Sequence, residues 1–332
     1  MAALSGAPGR PARLLGIGTY RPAGAVTTDE VAARLGTSPE WVTSRTGVLR
    51  RRRAAEDETL VAMATSAAEK ALSASGRHGS DVDFVLVATM TNPQPTPAVA
   101  PRVAHGLATS AAALDVNAAC AGFCYALEFA RTLIAGGAAD CVVVVGADRM
   151  FDIVDPDDRN TAIVFGDGAA AVVVGTAEEP GIAPAVWGSA GEKSSALEVR
   201  PDFVTFATSP PAEGRPWLRM DGTAVARWVA GTIPQVVTSA LDRAGVSWRD
   251  VAAFVPHQAG GRVIARVVDQ LGLPEHVVVS DDFRDMGNTS AASVPLALAS
   301  LRETGHVRPG DLAVLAGFGA GLAYASQVVR VP

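Results

Sequence analysis

Residues 165–175 read FGDGAAAVVVG and residues 317–331 read GFGAGLAYASQVVRV. In each, a glycine-rich turn feeds an apolar run with the length and β-branched content of a buried strand. Working outward, the same order of elements precedes both. Ahead of the first closure, a helical stretch over 59–75 leads to DFVLVAT (83–89) and a helix over 98–107. Then come the strand-like ALDVNAA (113–119) ending at Cys120, a helix over 122–134 and the strand CVVVVGA (141–147). Ahead of the second, a helical stretch over 224–244 leads to VAAFVP (251–256), a helix over 261–271 and HVVVS (276–280). A loop then reaches GNTS (287–290), a helix over 291–302 and DLAVLAG (311–317). Six elements in one order, twice, predict an α/β protein built from two similar halves, 1–176 and 177–332. The join falls near 176–181, and loops are inserted between about 188 and 220.

The chain has 332 residues, 48% hydrophobic and 19% charged, a balance opposite to that of disordered chains. Its net charge of −6 argues against broad nucleic-acid binding, which needs many Lys and Arg on one face. The three cysteines, Cys120, Cys124 and Cys141, are odd in number and lack partners at zinc-ligand spacing, which points to a reducing, cytosolic setting and no metal. The N-terminal residues lack an apolar stretch of leader length, and no run approaches the roughly 18 apolar residues of a spanning helix. Neither secretion nor membrane insertion is expected.

Loops after strand C-terminal ends are where α/β proteins build sites, and Cys120, His257 and Asn288 fall there in the repeat. Cys120, in NAACAGF, precedes a helix, whose N-terminal dipole and free N–H groups favour a thiolate able to attack a carbonyl or thioester. The alternative is a small buried hydrophobe, which is how Cys124 and Cys141 read. His257, in VPHQAGG, sits at the mouth of a strand, either as a hydrogen-bonding and proton-transfer group or as a satisfied structural histidine. Asn288, in GNTSAAS, reads alone as an ordinary helix cap. The glycine clusters GDG and GFGAG match neither a P-loop nor a dinucleotide fingerprint. They read as tight turns that let backbones approach and place N–H donors. In WVTSRTGVLRRRR (41–53), Trp41 with Arg45 can sandwich a planar base, and arginines 50–53 can contact phosphates, the competitor being a solvated basic loop.

NAACAGF, PHQA and GNTSAAS, in this order and spacing, resemble the Cys-His-Asn set of the β-ketoacyl-ACP synthase III family of thiolase-fold condensing enzymes. The similarity runs from about Leu14 to the C-terminus and takes in EWVTSRTG, DRNTAIVFGDGAAA, MDG and GFGAG. The resemblance implies an internally duplicated, five-layered αβαβα fold and a homodimer. It implies that Cys120 takes an acyl group from acyl-CoA, and that His257 and Asn288 hydrogen-bond the thioester of malonyl-ACP while decarboxylation makes the carbanion that attacks. No cofactor is implied. The N–H groups of Cys120 and Ala320 would form an oxyanion hole, and Trp41, Arg45, Thr46 and Arg159 would hold the CoA nucleotide. Arg227 and Arg262 would face the acyl carrier protein, and Met220 and Phe318 would lie near the cavity.

Two departures stand out. Gly260 replaces the Asn that commonly follows PHQA, which predicts a less rigid loop around His257. In TMTNPQPTP (89–97), Thr96 stands where acetyl-using members often carry Phe, at an acyl pocket that reaches across the dimer. The smaller residue leaves room for a starter larger than acetyl. The rival function is an acyltransferase that passes the acyl group to a hydroxyl, amine or carrier thiol without decarboxylation; a third is a catalytically silent partner subunit.

Overall fold

The structure is a computed structural model and describes residue 4 and residues 9–210 and 214–332. Most of the N-terminal stretch read for a leader, 1–3 and 5–8, lies outside the described residues, as do 211–213 of the expected insertion. Strand β1 (Ala12–Tyr20) is followed by helices α1 (Pro39–Thr46) and α2 (Leu60–Ser75), β2 (Phe84–Ala88), α3 (Ala100–Gly106) and β3 (Ala112–Val116). Next come α4 (Gly122–Ala135), β4 (Cys141–Asp148) and β5 (Gly168–Thr176). The order then recurs as β6 (Val186–Ser189), α5 (Gly222–Ala244), β7 (Val251–Pro256), α6 (Gly261–Leu271) and β8 (Val278–Val279). It ends with α7 (Ser293–Glu303), β9 (Leu312–Gly319) and β10 (Ala323–Arg330).

The strands form two five-stranded sheets of identical plan, β1-β5-β4-β2-β3 and β6-β10-β9-β7-β8. In the first, β2 is parallel to β3 and β4, while β5 is antiparallel to β4 and β1. In the second, β7 is parallel to β8 and β9, while β10 is antiparallel to β9 and β6. The repeat therefore extends to strand direction. It also includes one element pair not counted from sequence, the edge strands β1 and β6. In β1 the apolar pattern is interrupted by Gly16 and Gly18, because α2 lies directly on the strand. A Cβ at Gly16 would sit 2.6 Å from the Ala71 carbonyl oxygen, and one at Gly18 would strike that of Ala67.

The alternation along β4 shows how the layers form. Val142 and Val144 join a core with α4 and α7, whereas Val143 and Val145 face the opposite way, toward α2 and α3. All four valines are fully buried, each contributing about 1.5 to 3 kcal/mol relative to exposure. Across the central helices, Val255 and Leu315 of the second sheet share the inner core, and Phe254 and Val314 turn outward to α5 and α6. Outer helices, sheet, paired helices α4 and α7, sheet, outer helices: the chain has the five-layered, duplicated thiolase-like fold.

Differences from the sequence-based expectation concentrate at the loops that build the site. Strand β3 stops at Val116 rather than running to Cys120, and α7 starts at Ser293 rather than 291, because a 3-10 turn precedes each central helix. The insertion after 188 is more than loops. Leu197–Arg200 pairs antiparallel with Trp217–Met220, and a short helix spans Phe203–Thr208. Among the described residues, no helix is long and apolar enough to cross a membrane.

Candidate active site

The two 3-10 turns are images of each other. Ala119–Ala121 leads into α4 and Ser290–Ala292 into α7, and the first residue of each is left-handed, Ala119 with φ 46° and Ser290 with φ 50°. An asparagine two residues upstream closes each turn. Asn117 Oδ1 accepts from the Ala119 N–H at 3.3 Å, and Asn288 Oδ1 from the Ser290 N–H at 2.9 Å. Thus NAACA (117–121) and NTSAA (288–292) are matching segments, with Cys120 opposite Ala291 in the repeat. Fixing its oxygen in the turn aims the Asn288 amide nitrogen elsewhere, to His257 Nε2 at 3.3 Å.

The glycine-rich closures each serve the other half's turn. Gly166 of FGDG donates its N–H to the Asn288 carbonyl at 3.0 Å, and the Asn288 N–H donates to the Val164 carbonyl at 2.9 Å. Gly319 of GFGAG lies against Cys120, where a Cβ would be 2.7 Å from Cys120 Cβ and 2.9 Å from its nitrogen. Gly317 and Gly319 prove to be the end of strand β9 rather than a turn. They are glycines because β9 runs against the start of α4, not because of a special φ. A side chain at 319 would displace the sulfur, and misplacement on that scale costs up to about 10²-fold in rate. Gly319→Ala is expected to slow acylation of Cys120 by about 10- to 100-fold, measured by intact mass against time, and to lower the urea midpoint as the Cys120 backbone is pushed aside.

His257 follows β7, its N–H donating to the Ala316 carbonyl at 2.7 Å. The ring is held on three sides. Nδ1 lies 2.7 Å from Ser293 Oγ, Nε2 faces Asn288, and Phe318 packs edge-on with ring centroids 5.2 Å apart. Gln258 braces the loop, its amide donating to the Pro256 carbonyl at 2.7 Å and Ser280 Oγ at 3.0 Å. Since the Asn288 amide donates to Nε2, the resting imidazole carries its proton on Nδ1 and gives it to Ser293 Oγ. The hydroxyl can reverse that bond, which lets the ring carry its proton on Nε2 instead.

Cys120, His257 and Asn288 open onto one cavity of 630 Å³, together with Met220 and Phe318, and its lining also takes in Thr46 and the exposed Arg45, Arg262 and Arg266. All three central residues are buried. Burial pushes the Cys120 thiol up to about 12, against a smaller downward pull from the Ser290 hydroxyl, and pushes His257 down to about 3. The expected resting thiolate is therefore corrected to a neutral thiol beside a neutral imidazole, because enclosure outweighs the stabilisation that the start of α4 offers. The linkage has a definite sign. The unfolded histidine takes a proton near pH 6.5 and the buried one only near 3, so His257 makes stability fall as pH drops through that window and has no effect above it. The chemical step from pre-acylated protein should show no inflection near pH 6.5 when followed by quench between pH 5.5 and 8.

The other predicted residues scatter around this cavity. Trp41 and Arg45 lie on α1, with the Arg45 guanidinium 4.0 Å from the indole centroid, so arginine covers the face expected to stack a base. Thr46 is buried and donates to the Val42 carbonyl at 3.0 Å. Arg159 donates to the Leu35 carbonyl at 2.8 Å and is not part of the cavity lining. Arg227 and Arg262 are exposed near the starts of α5 and α6. Ala320 directly follows Gly319 at the end of β9. Thr96 is exposed and lies outside the cavity lining of the single chain. Gly260 opens α6 with φ 112°, a conformation that favours glycine, and leaves that helix without a side-chain cap.

The run 50–53 is corrected. Its first three residues form a short strand in which Arg51 is fully buried, bonded to Thr28 Oγ1 and the Ile163 carbonyl, while Arg50 pairs with Asp285. Arg53 lies over the Phe151 ring, and none of the four lines the Cys120 cavity. Sequence reasoning missed Ser290, Ser293, Asp148 and Arg266. The match between NAACA and NTSAA was the available signal for the first.

The profile described as 3-Oxoacyl-[acyl-carrier-protein (ACP)] synthase III matches residues 114–191, and its C-terminal counterpart matches residues 241–331. The chain is 46% identical over 321 residues to the beta-ketoacyl-[acyl-carrier-protein] synthase III of Mycobacteroides abscessus, covering 96% of this chain and 94% of that protein. It is 46% identical over 333 residues to the mycobacterial beta-ketoacyl-[acyl-carrier-protein] synthase III of Mycobacterium tuberculosis, covering 100% and 98%. Among solved structures, a priming beta-ketosynthase from a polyketide biosynthetic pathway superposes with TM-score 0.95 at 43% identity, covering 100% of this chain and 99% of that one. The 3-oxoacyl-(acyl carrier protein) synthase III of Pseudomonas aeruginosa superposes with TM-score 0.89 at 40% identity, covering 97% and 99%. The chain belongs to the β-ketoacyl-[acyl-carrier-protein] synthase III family and is an acyltransferase of the condensing type.

Proposed function

We propose that the chain primes chain synthesis by condensing an acyl-CoA starter larger than acetyl with malonyl-ACP. The observation that carries this reading is the meeting of Cys120, His257 and Asn288 in one cavity, with the His257 and Asn288 nitrogens 3.3 Å apart. Half 1–176 supplies the nucleophile and half 177–332 the two donors. Cys120 attacks the acyl-CoA carbonyl, CoA leaves, and the acyl group stays on sulfur as a thioester. The oxyanion of that step lies against the N–H groups of Cys120 and Ala320; the absence of a side chain at Gly319 leaves the Cys120 nitrogen uncovered.

Malonyl-ACP then places its thioester carbonyl between Asn288 Nδ2 and His257 Nε2. Nitrogens this close converge on a single oxygen, and Ser293 lets the imidazole present a proton on Nε2. As carbon dioxide departs, its bonding electrons pass into the enolate held by these donors. The resulting carbanion attacks the acyl carbon and expels Cys120, giving 3-ketoacyl-ACP. Trp41, Arg45, Thr46 and Arg159 hold the CoA nucleotide, and Arg227 and Arg262 receive the acidic carrier protein. The positions of Arg45, Thr46 and Arg262 in the cavity lining support both assignments.

Met220 and Phe318 wall the acyl site. Thr96 completes it from the partner in a homodimer, consistent with its exposure in the single chain. Initial rates of Cys120 acylation across acetyl-, propionyl-, isobutyryl- and hexanoyl-CoA test the starter. The larger chains should load at least about 10-fold faster than acetyl, within the reach of a few methylenes in a fitted pocket. A preference for acetyl would overturn the larger-starter assignment.

A further inference from the structure

Ser290 has a connection that the condensation does not use. Its hydroxyl oxygen lies 3.4 Å from Cys120 Sγ, and the same side chain acts on the carboxylate of Asp148, opposing the effect of burial there. Asp148 is the last residue of β4 and is fully buried. Its Oδ1 accepts from Thr89 Oγ1, the Met90 N–H and Thr91 Oγ1 at 2.9 Å each, and its Oδ2 accepts from the Ala291 N–H at 3.1 Å. Every one of these donors is neutral. A buried carboxylate without a cationic partner is costly, and the other half of the duplicated fold carries neither group at the matching positions. Gly319 occupies the corresponding end of β9, and Ala119 takes the same left-handed turn as Ser290 with no hydroxyl.

Resting on the acylation proposed above, we infer that Ser290 relays the proton of Cys120 to Asp148 during acyl loading. Ser290 touches the reacting sulfur and is the catalytic member of the pair; Asp148 acts through it. As the sulfur's electron pair forms the bond to the acyl carbon, the thiol proton moves to Ser290 Oγ and the serine's own proton moves to the carboxylate. When the carbon–sulfur bond to CoA breaks, that proton returns through Ser290 to the departing CoA sulfur, so the products are acyl-Cys120 and free CoA. Enclosure supports this direction. The thiol is held protonated until attack, while the carboxyl of Asp148 is raised from its ordinary value by the same burial and so accepts a proton more readily than an exposed one. His257, depressed by burial and already bonded to Asn288 and Ser293, is the weaker acceptor. The titratable groups of the relay are Cys120 and Asp148, and His257 lines the same cavity as Cys120.

The test compares the full-length wild type with Ser290→Ala and Asp148→Asn. Hexanoyl-CoA loading is followed by intact mass, condensation is followed from protein loaded to completion, and Cys120 alkylation by iodoacetamide is followed against pH by peptide mass. Ser290→Ala is expected to fold, because Ala119 holds the matching conformation. It should slow loading by about 10²-fold, within the range of a lost general base, leave condensation within about 3-fold, and shift the alkylation profile to higher pH. Asp148→Asn should act in the same direction, and the double variant should be no more than about 3-fold slower than Ser290→Ala. Loading by Ser290→Ala at the wild-type rate, or equal loss of loading and condensation, would overturn the relay. If the wild type takes no acyl group from CoA, the proposed function fails instead. The alkylation profiles then decide the relay alone, and superimposable wild-type and Ser290→Ala profiles would reject it.

Discussion

Cys120→Ala should take up no acyl mass from any acyl-CoA, and production of 3-ketoacyl-ACP should fall by about 10³-fold or more. Neither Cys124 nor Cys141 can substitute. Cys124 lies in α4 and Cys141 opens β4, both buried and away from the cavity lining. The loss will not come from misfolding, since Ala291 already occupies the matching place in the second turn. Losses of this size are ordinary for a nucleophile, whose removal leaves only the binding and oxyanion contributions. Intact mass after incubation with acyl-CoA, with thermal unfolding of the variant as control, checks the result. An acyl adduct on the variant would assign the nucleophile elsewhere.

The second large effect separates the two half-reactions. His257→Ala should still load within about 10-fold of the wild type but condense about 10²- to 10³-fold more slowly, the usual cost of one oxyanion donor. Asn288 needs more care, because its oxygen closes the turn that carries Ser290. Asn288→Ala removes both functions, whereas Asn288→Asp keeps the acceptor and loses only the donor. The Asp variant keeps the turn closed but buries a carboxylate beside a neutral imidazole, so its urea midpoint should fall while the folded protein still shows the condensation defect. Quenched-flow measurement of product from pre-acylated protein distinguishes these outcomes; equal defects in loading would mean that the two residues support Cys120 rather than the carbanion.

Much of this was legible in sequence because the repeat is written in local signals. The helix over 59–75 appears as Leu60–Ser75 with Thr59 as its cap, and VAAFVP and the helix over 261–271 appear with the expected bounds. What escaped depends on distant partners. Gly16 and Gly18 look like strand breakers until α2 is placed on β1. Arg51 looks like one of four solvated arginines until the strand pairing turns it inward. The thiol of Cys120 looks activated from its position before α4, but its burial comes from β9 and from the loop of the other half. Ser290 and Ser293 look like helix-cap residues, and only the folded chain brings one to Cys120 and the other to His257.

In the proposed function one cavity first takes an acyl group on Cys120 and then passes it on in a decarboxylative condensation. Intact-mass analysis of the wild type with hexanoyl-CoA, followed by malonyl-ACP, tests both halves in one sample. The expected result is a single hexanoyl adduct on the Cys120 peptide, its discharge when malonyl-ACP is added, and one carbon dioxide released for each 3-ketoacyl-ACP formed. Absence of the adduct, or its discharge without carbon dioxide, would contradict it.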